Sequence, residues 1–163
     1  MHRWLPLVLL CAAVPVSSRG GIIYAGGAWA AIDRGATCEA LARSSRIAAK
    51  GKVQARSGFT FSADRRRWGE FHARLRRVPR PNTSVMLKAG DQPFLLVVRG
   101  DWAWSSGPLQ EQAIMAAVRG GGWMSIEAHD TAGRRFIDYY ALDGAATAID
   151  AAAARCAGKN QPR

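Results

Sequence analysis

Two rhythms of apolar and polar residues run along the chain. From 57 to 142 apolar side chains recur mostly at every second position, the period of a half-buried strand; after Gly144 they recur at steps of three and four, the period of a helix. In SGFTFSAD, Phe59 and Phe61 alternate with Thr60 and Ser62, which predicts a strand. Next, Phe71, Ala73 and Leu75 share one parity, and Trp68, Glu70, His72, Arg74 and Arg76 share the other. That predicts a strand with an apolar inner face and a basic outer one, ended by Pro79 and Pro81. Val85 and Leu87 mark a short strand over 84–89. Residues 94–98 are a continuous apolar run bounded by turns, the pattern of a central strand buried on both faces. Residues 123–129 and 134–142 flank a turn, which predicts a hairpin with Met124, Ile126 and Ala128 inside and Ser125, Glu127 and His129 outside.

Three stretches depart from the strand rhythm. Pro108 suits the first turn of a helix whose face carries Ile114, Met115 and Val118, stopped by the glycines at 120–122. Residues 21–36 hold two short apolar pieces around a Gly-Gly break, an irregular strand entry that carries Trp29. From Thr37, the residues Cys38, Leu41, Ala42 and Ser45 fall at helical steps, which predicts a helix over 37–50 ended by Gly51. The last helix begins near Ala145, with Ile149, Ala152, Ala153 and Cys156 on one face and Gly158 in place as a C-terminal cap. Its small side chains permit close approach to a sheet. The expected chain is mainly β, with about six strands in antiparallel sheets, a C-terminal helix packed on them and one or two inserted short helices.

Composition changes the picture through charge. The 163 residues suit one ordinary domain, and 48% apolar content is enough to build a core. The formal charge is +11, carried mainly by arginine, so contact with polyanions is favoured. Arg65, Arg66, Arg67, Arg74, Arg76, Arg77 and Arg80 fall within sixteen residues. Guanidinium forks match phosphate, sulfate and carboxylate groups, and Trp68, Trp102 and Trp104 offer stacking faces or glycan contacts. The candidate anion- or partner-binding set is therefore Arg66, Trp68, His72, Arg74, Arg76, Trp102 and Trp104. The competing reading is a solvated basic face with its tryptophans in the core.

The start of the chain sets a compartment. MHRWLPLVLLCAAVPVSSRG has a basic start, an apolar run from Trp4 to Val16 and small residues at its end, the layout of a secretory signal peptide over 1–20. The run is too short for a membrane anchor. Removing residues 1–20 takes away Arg3 and Arg19 and no acid, so 21 basic residues face 12 acidic ones and the charge stays at +9. The expected organisation is this leader, one β-rich domain over 21–158 and a frayed tail over 159–163. Without Cys11, the two remaining cysteines, Cys38 and Cys156, suggest one disulfide in an exported protein, with two buried free thiols as the alternative.

Catalytic and metal motifs are sparse. The chain has no G-x-S-x-G, no G-x-G-x-x-G, no Walker loop, no H-E-x-x-H and no C-x-x-C, so no cofactor or metal is expected. His129 with Asp130 or Asp138, or an acid pair from Glu70, Glu127 and Asp138, is the alternative that would make a small exported hydrolase. A basic sheet with aromatics also fits single-stranded nucleic acid, a partner that an exported protein rarely meets.

Residues 119–156, RGGGWMSIEAHDTAGRRFIDYYALDGAATAIDAAAARC, carry a family resemblance. A basic, glycine-rich segment leads into a strand with Met, then a D-x-Y-x-L-x-G strand-and-turn, then an alanine-rich helix that ends in Cys. Those positions are Asp138, Tyr140, Leu142, Gly144 and Cys156 here, with Trp29 and Cys38 in outline agreement. The pattern resembles the invasion-associated locus B family. The resemblance implies a small exported β-sandwich with a packed helix, associated with the bacterial envelope and without enzymatic activity. The expectation is a non-enzymatic periplasmic or secreted protein that binds an anionic envelope component or a protein partner.

Overall fold

The computed structural model describes residues 20–160. The leader read over 1–20 lies, but for Gly20, outside the described residues. Ten strands follow in chain order: β1 (Ile22–Gly26), β2 (Trp29–Asp33), β3 (Thr37–Arg43), β4 (Arg56–Ser62), β5 (Trp68–Arg74), β6 (Val85–Ala89), β7 (Gln92–Arg99), β8 (Trp102–Trp104), β9 (Trp123–His129) and β10 (Arg135–Ala141). Helix α1 (Pro108–Gly120) is inserted between β8 and β9, and α2 (Ala145–Ala157) ends in one 3-10 turn. The strand order is β1-β2-β3-β4-β5-β8-β7-β6-β9-β10, antiparallel throughout. The sheet bends back until its far end meets its start. Ser45 N–H donates to the Tyr139 carbonyl (2.8 Å), Ala28 N–H to the Asp143 carbonyl (3.0 Å) and Trp29 Nε1 to the Ala141 carbonyl (2.9 Å). The mainly β class with a helix packed on the sheet is thus as the residue pattern implies.

One core fills the concave side. It joins Trp29, Phe59, Phe61, Phe71, Leu75, Leu87, Met124, Ile126 and Tyr140 to Ile114 of α1 and Ile149 of α2. The alanines Ala31, Ala40 and Ala42 of the sheet are buried, as are Ala145, Ala148 and Ala152 of α2, and α2 packs directly on β2 and β3. Small residues on both sides let helix and sheet approach closely. Cys38 and Cys156 form a disulfide across this contact, with Cα atoms 5.8 Å apart and 118 residues between them in sequence. Lys159, assigned by the sequence to the frayed tail, is held by Asp33 and the Gly35 carbonyl.

Several elements differ from expectation. The helix predicted over 37–50 is strand β3 followed by a loop. Cys38, Ala40 and Ala42 point inward at a period of two, and the alanine run fits either period because it has no bulk to distinguish them. The entry over 21–36 forms an antiparallel hairpin of β1 and β2 whose register shifts between Ile22 and Tyr24, in keeping with the irregular entry expected. Strand β7 is central in order but not buried on both faces, since Leu95 and Val97 are each 54% exposed. Among the described residues no second layer covers the outer face there.

Candidate functional site

The arginine-rich strand does not present one basic surface. Gly69, at φ +88°, forms a bulge: Thr60 faces Glu70 but Phe61 faces Trp68 across β4 and β5. Trp68 therefore turns to the inner side, packs edge-on against Phe61 (5.3 Å) and carries the Arg65 guanidinium over its ring (4.4 Å). His72 keeps the outer parity yet is 7% exposed, where the sequence predicted an exposed polar residue. Its Nδ1 lies 3.2 Å from Thr60 Oγ1 and its ring lies 6.0 Å from that of Trp102. Burial holds its imidazole below the ordinary value, against the opposing pull of Glu39. Trp102 and Trp104 stand together on the outer face, nearly parallel and 6.2 Å apart.

The guanidinium groups are mostly paired inside the molecule. Arg66 reaches Asp64 (3.6 Å), Arg67 reaches Glu70 (3.8 Å) and Arg74 reaches Asp101 (3.0 Å). Arg76 leaves the outer face altogether: its Nε lies 2.8 Å from Asp138 Oδ1, its side chain is 16% exposed, and it lies over Phe136. The strand ends at Arg74, and the turn that follows aims Arg76 toward β10.

A different surface gathers cations. A cleft of about 640 Å³ opens between the loop after β3, the segment after β5 and the β9–β10 turn. Its lining includes Arg46, Lys52, Arg76, Arg77 and Arg134, with Asp130 the one acid among the lining residues. Ile47 (79% exposed) and Val78 (51% exposed) give it an apolar rim. The loop is pinned from within. The Gln54 carboxamide accepts from Ala48 N–H (2.9 Å) and donates to Ser44 Oγ and to the Arg46 carbonyl (both 3.1 Å). Asp130 organises the opposite wall. It accepts from the backbone N–H of Ala132 (3.0 Å) and Arg134 (2.9 Å) and from the Arg77 side chain (2.9 Å). The Arg134 N–H and guanidinium outweigh burial and hold the Asp130 carboxyl below its usual range. Arg46 and Lys52 make no ion pair with the described residues, so their charge faces solvent.

Behind Arg76 lies Asp138, fully buried. Burial pushes its carboxyl up, and Arg76 opposes this only in part. Its two oxygens and the Tyr140 hydroxyl lack a well-directed hydrogen bond among the described residues. His129 has the outward parity of β9, whereas Asp138 faces inward, so these two candidates for hydrolytic chemistry sit on opposite faces. Glu127 pairs with Arg135 (2.6 Å) at the surface, apart from Asp138. Among the described residues no group of three or more His, Cys, Asp and Glu side chains is placed to hold a metal ion.

Of the candidate binding set named from sequence, Arg76 alone lines this cleft, although Arg77 of the arginine run and Asp130 line it too. Trp102, Trp104 and His72 share a separate outer hollow; Arg74 lies beside it, opposite Trp102; Arg66 and Trp68 belong to neither. Arg46, Lys52 and Arg134 went unremarked because they come from segments more than eighty residues apart. The only sequence signal for the loop was the polar run Ser44-Ser45-Arg46 after an alternating segment. Comparison with protein-family models, curated proteins and solved structures finds no match to this chain.

Proposed function

We propose that this protein is exported to the bacterial envelope and binds there an anionic, phosphate-bearing amphiphile in the cleft between residues 46–55, 76–78 and 130–134. The observation that carries the reading is the convergence of five cationic side chains on one hollow, two of them without an internal acid partner. Arginine offers paired donors to phosphate oxygens, and a cleft walled by protein screens charge less than open water does. Ile47 and Val78 at the rim would meet an acyl chain or sugar face beside the phosphate. Gln54 and Asp130 fix both walls in advance, which reduces the ordering cost of binding.

The export part of the reading is supported by the leader pattern and by the disulfide, which suits an oxidising compartment. No described helix is long and apolar enough to cross a membrane. The resemblance of 119–156 to the invasion-associated locus B family points to the same compartment and to binding rather than catalysis. Sedimentation with lipopolysaccharide at rising salt tests the proposal. Binding should be strong at low salt and fall steeply as the screening length shrinks from about 10 Å at 0.1 M to about 3 Å at 1 M. Absence of binding at low salt, or binding indifferent to salt, would refute it.

A further inference from the structure

The outer face of β3, β4, β5 and β8 carries a second hollow, remote from the cationic cleft in its lining residues. It measures about 240 Å³ and is lined by Glu39, Thr60, Arg67, Glu70, His72, Trp102 and Trp104. Trp104 and Glu70 also border a neighbouring depression with Val97 and Arg99, so the surface continues onto β7. We infer that this face binds a neutral saccharide, with the paired tryptophans as its walls and Glu70 and His72 as its polar contacts.

The charge pattern selects the ligand class. Glu39 and Glu70 would repel a phosphate or a nucleic-acid backbone. Arg67, together with Arg56 lying 5.4 Å above the Trp102 ring, would repel a cation and already occupies part of the aromatic surface. Both rim carboxylates are matched internally, Glu39 by Arg34 (3.1 Å) and Glu70 by Arg67 (3.8 Å). A peptide strand has no free edge here, because β5, β8 and β7 all lie inside the sheet order. What remains is a mixed, locally neutral set of donors and acceptors beside two half-buried indoles. A sugar presents hydroxyls that both donate and accept, and partly positive C–H groups that settle on the negative face of an aromatic ring.

His72 is the independent observation. It is more than nine-tenths buried at the base of the hollow, and its Nδ1 is engaged by Thr60. A buried imidazole that lines a hollow offers a polar contact to a ligand hydroxyl.

The experiment is a titration of the purified protein with cello-, malto- and chitohexaose, read by the indole N–H resonances, with heparin as the anionic control. At least one neutral hexaose should shift the Trp102 and Trp104 indoles at low and high salt alike. Trp104→Ala and, independently, Glu70→Ala should weaken that binding by about tenfold, while Arg46→Glu leaves it unchanged. Failure of all three neutral hexaoses, or unaltered binding by both hollow variants, would overturn the inference. Because Arg46 lies in the other cleft, neither result depends on the lipopolysaccharide reading.

Discussion

Two buried carboxylates behave in opposite ways. Asp33, at the end of β2, is opposed by burial but gains hydrogen bonds from Lys159, from Arg155 (2.7 Å) and from Gly35 N–H (2.8 Å), which bring its carboxyl down to about 2. A depressed value means that Asp33 contributes stability above its unfolded value of 3.8 and loses it as pH falls toward 2. Acid titration of unfolding should therefore be flatter between those limits in Asp33→Asn than in the parent. Asp138 is the reverse case, with one arginine and a raised carboxyl. Its contribution is present at acid pH and is lost as pH rises. Arg76→Met strands the buried charge and should lower stability at neutral pH by about 3–5 kcal/mol; the double variant Arg76→Met, Asp138→Leu should recover much of that in urea unfolding. Neither setting was legible from sequence. Asp33 meets Lys159 from 126 positions away, and Arg76 shares the parity of an outward strand face that ends two residues before it.

At the scale of elements, α2 acts as a staple. It starts at Gly144, whose φ is +84° and where a Cβ would overlap the Gly26 carbonyl oxygen. Gly144→Ala should therefore cost about 1–3 kcal/mol, measured by thermal or urea unfolding. At the other end the disulfide closes a long loop. Replacing both Cys38 and Cys156 by alanine should remove about 4–5 kcal/mol on the chain-entropy account. The helix and its bond to Cys38 were readable in the sequence, because Ile149, Ala152 and Cys156 mark one face and only two cysteines follow residue 20. The strand that holds Cys38 was not. An alanine-rich segment satisfies periods of two and of three to four equally, and long-range pairing with β2 and β4 decides the outcome. The Gly69 bulge was hidden for a related reason, since parity counting assumes an unbroken pleat.

For the whole molecule, net charge and local charge tell different stories. The excess of arginine is visible in composition, but pairing removes most of the apparent stripe on β5 and concentrates free cations elsewhere. The cleft exists only because the sheet bends back and brings the loop after β3 beside β10. The hollow over His72 likewise needs β8 to pair with β5, thirty residues away in sequence. Strand alternation is local and could be read directly; these two surfaces are products of closure. Closure thus leaves the 46–55 cleft as the proposed anion-binding surface. Calorimetric titration with lipopolysaccharide tests it most directly, comparing the parent with Arg46→Glu, Lys52→Glu. Both positions are exposed and make no ion pair with the described residues, so the fold should survive. Affinity should drop by at least about tenfold at low salt; unchanged affinity in a folded double variant would exclude the cleft as that surface.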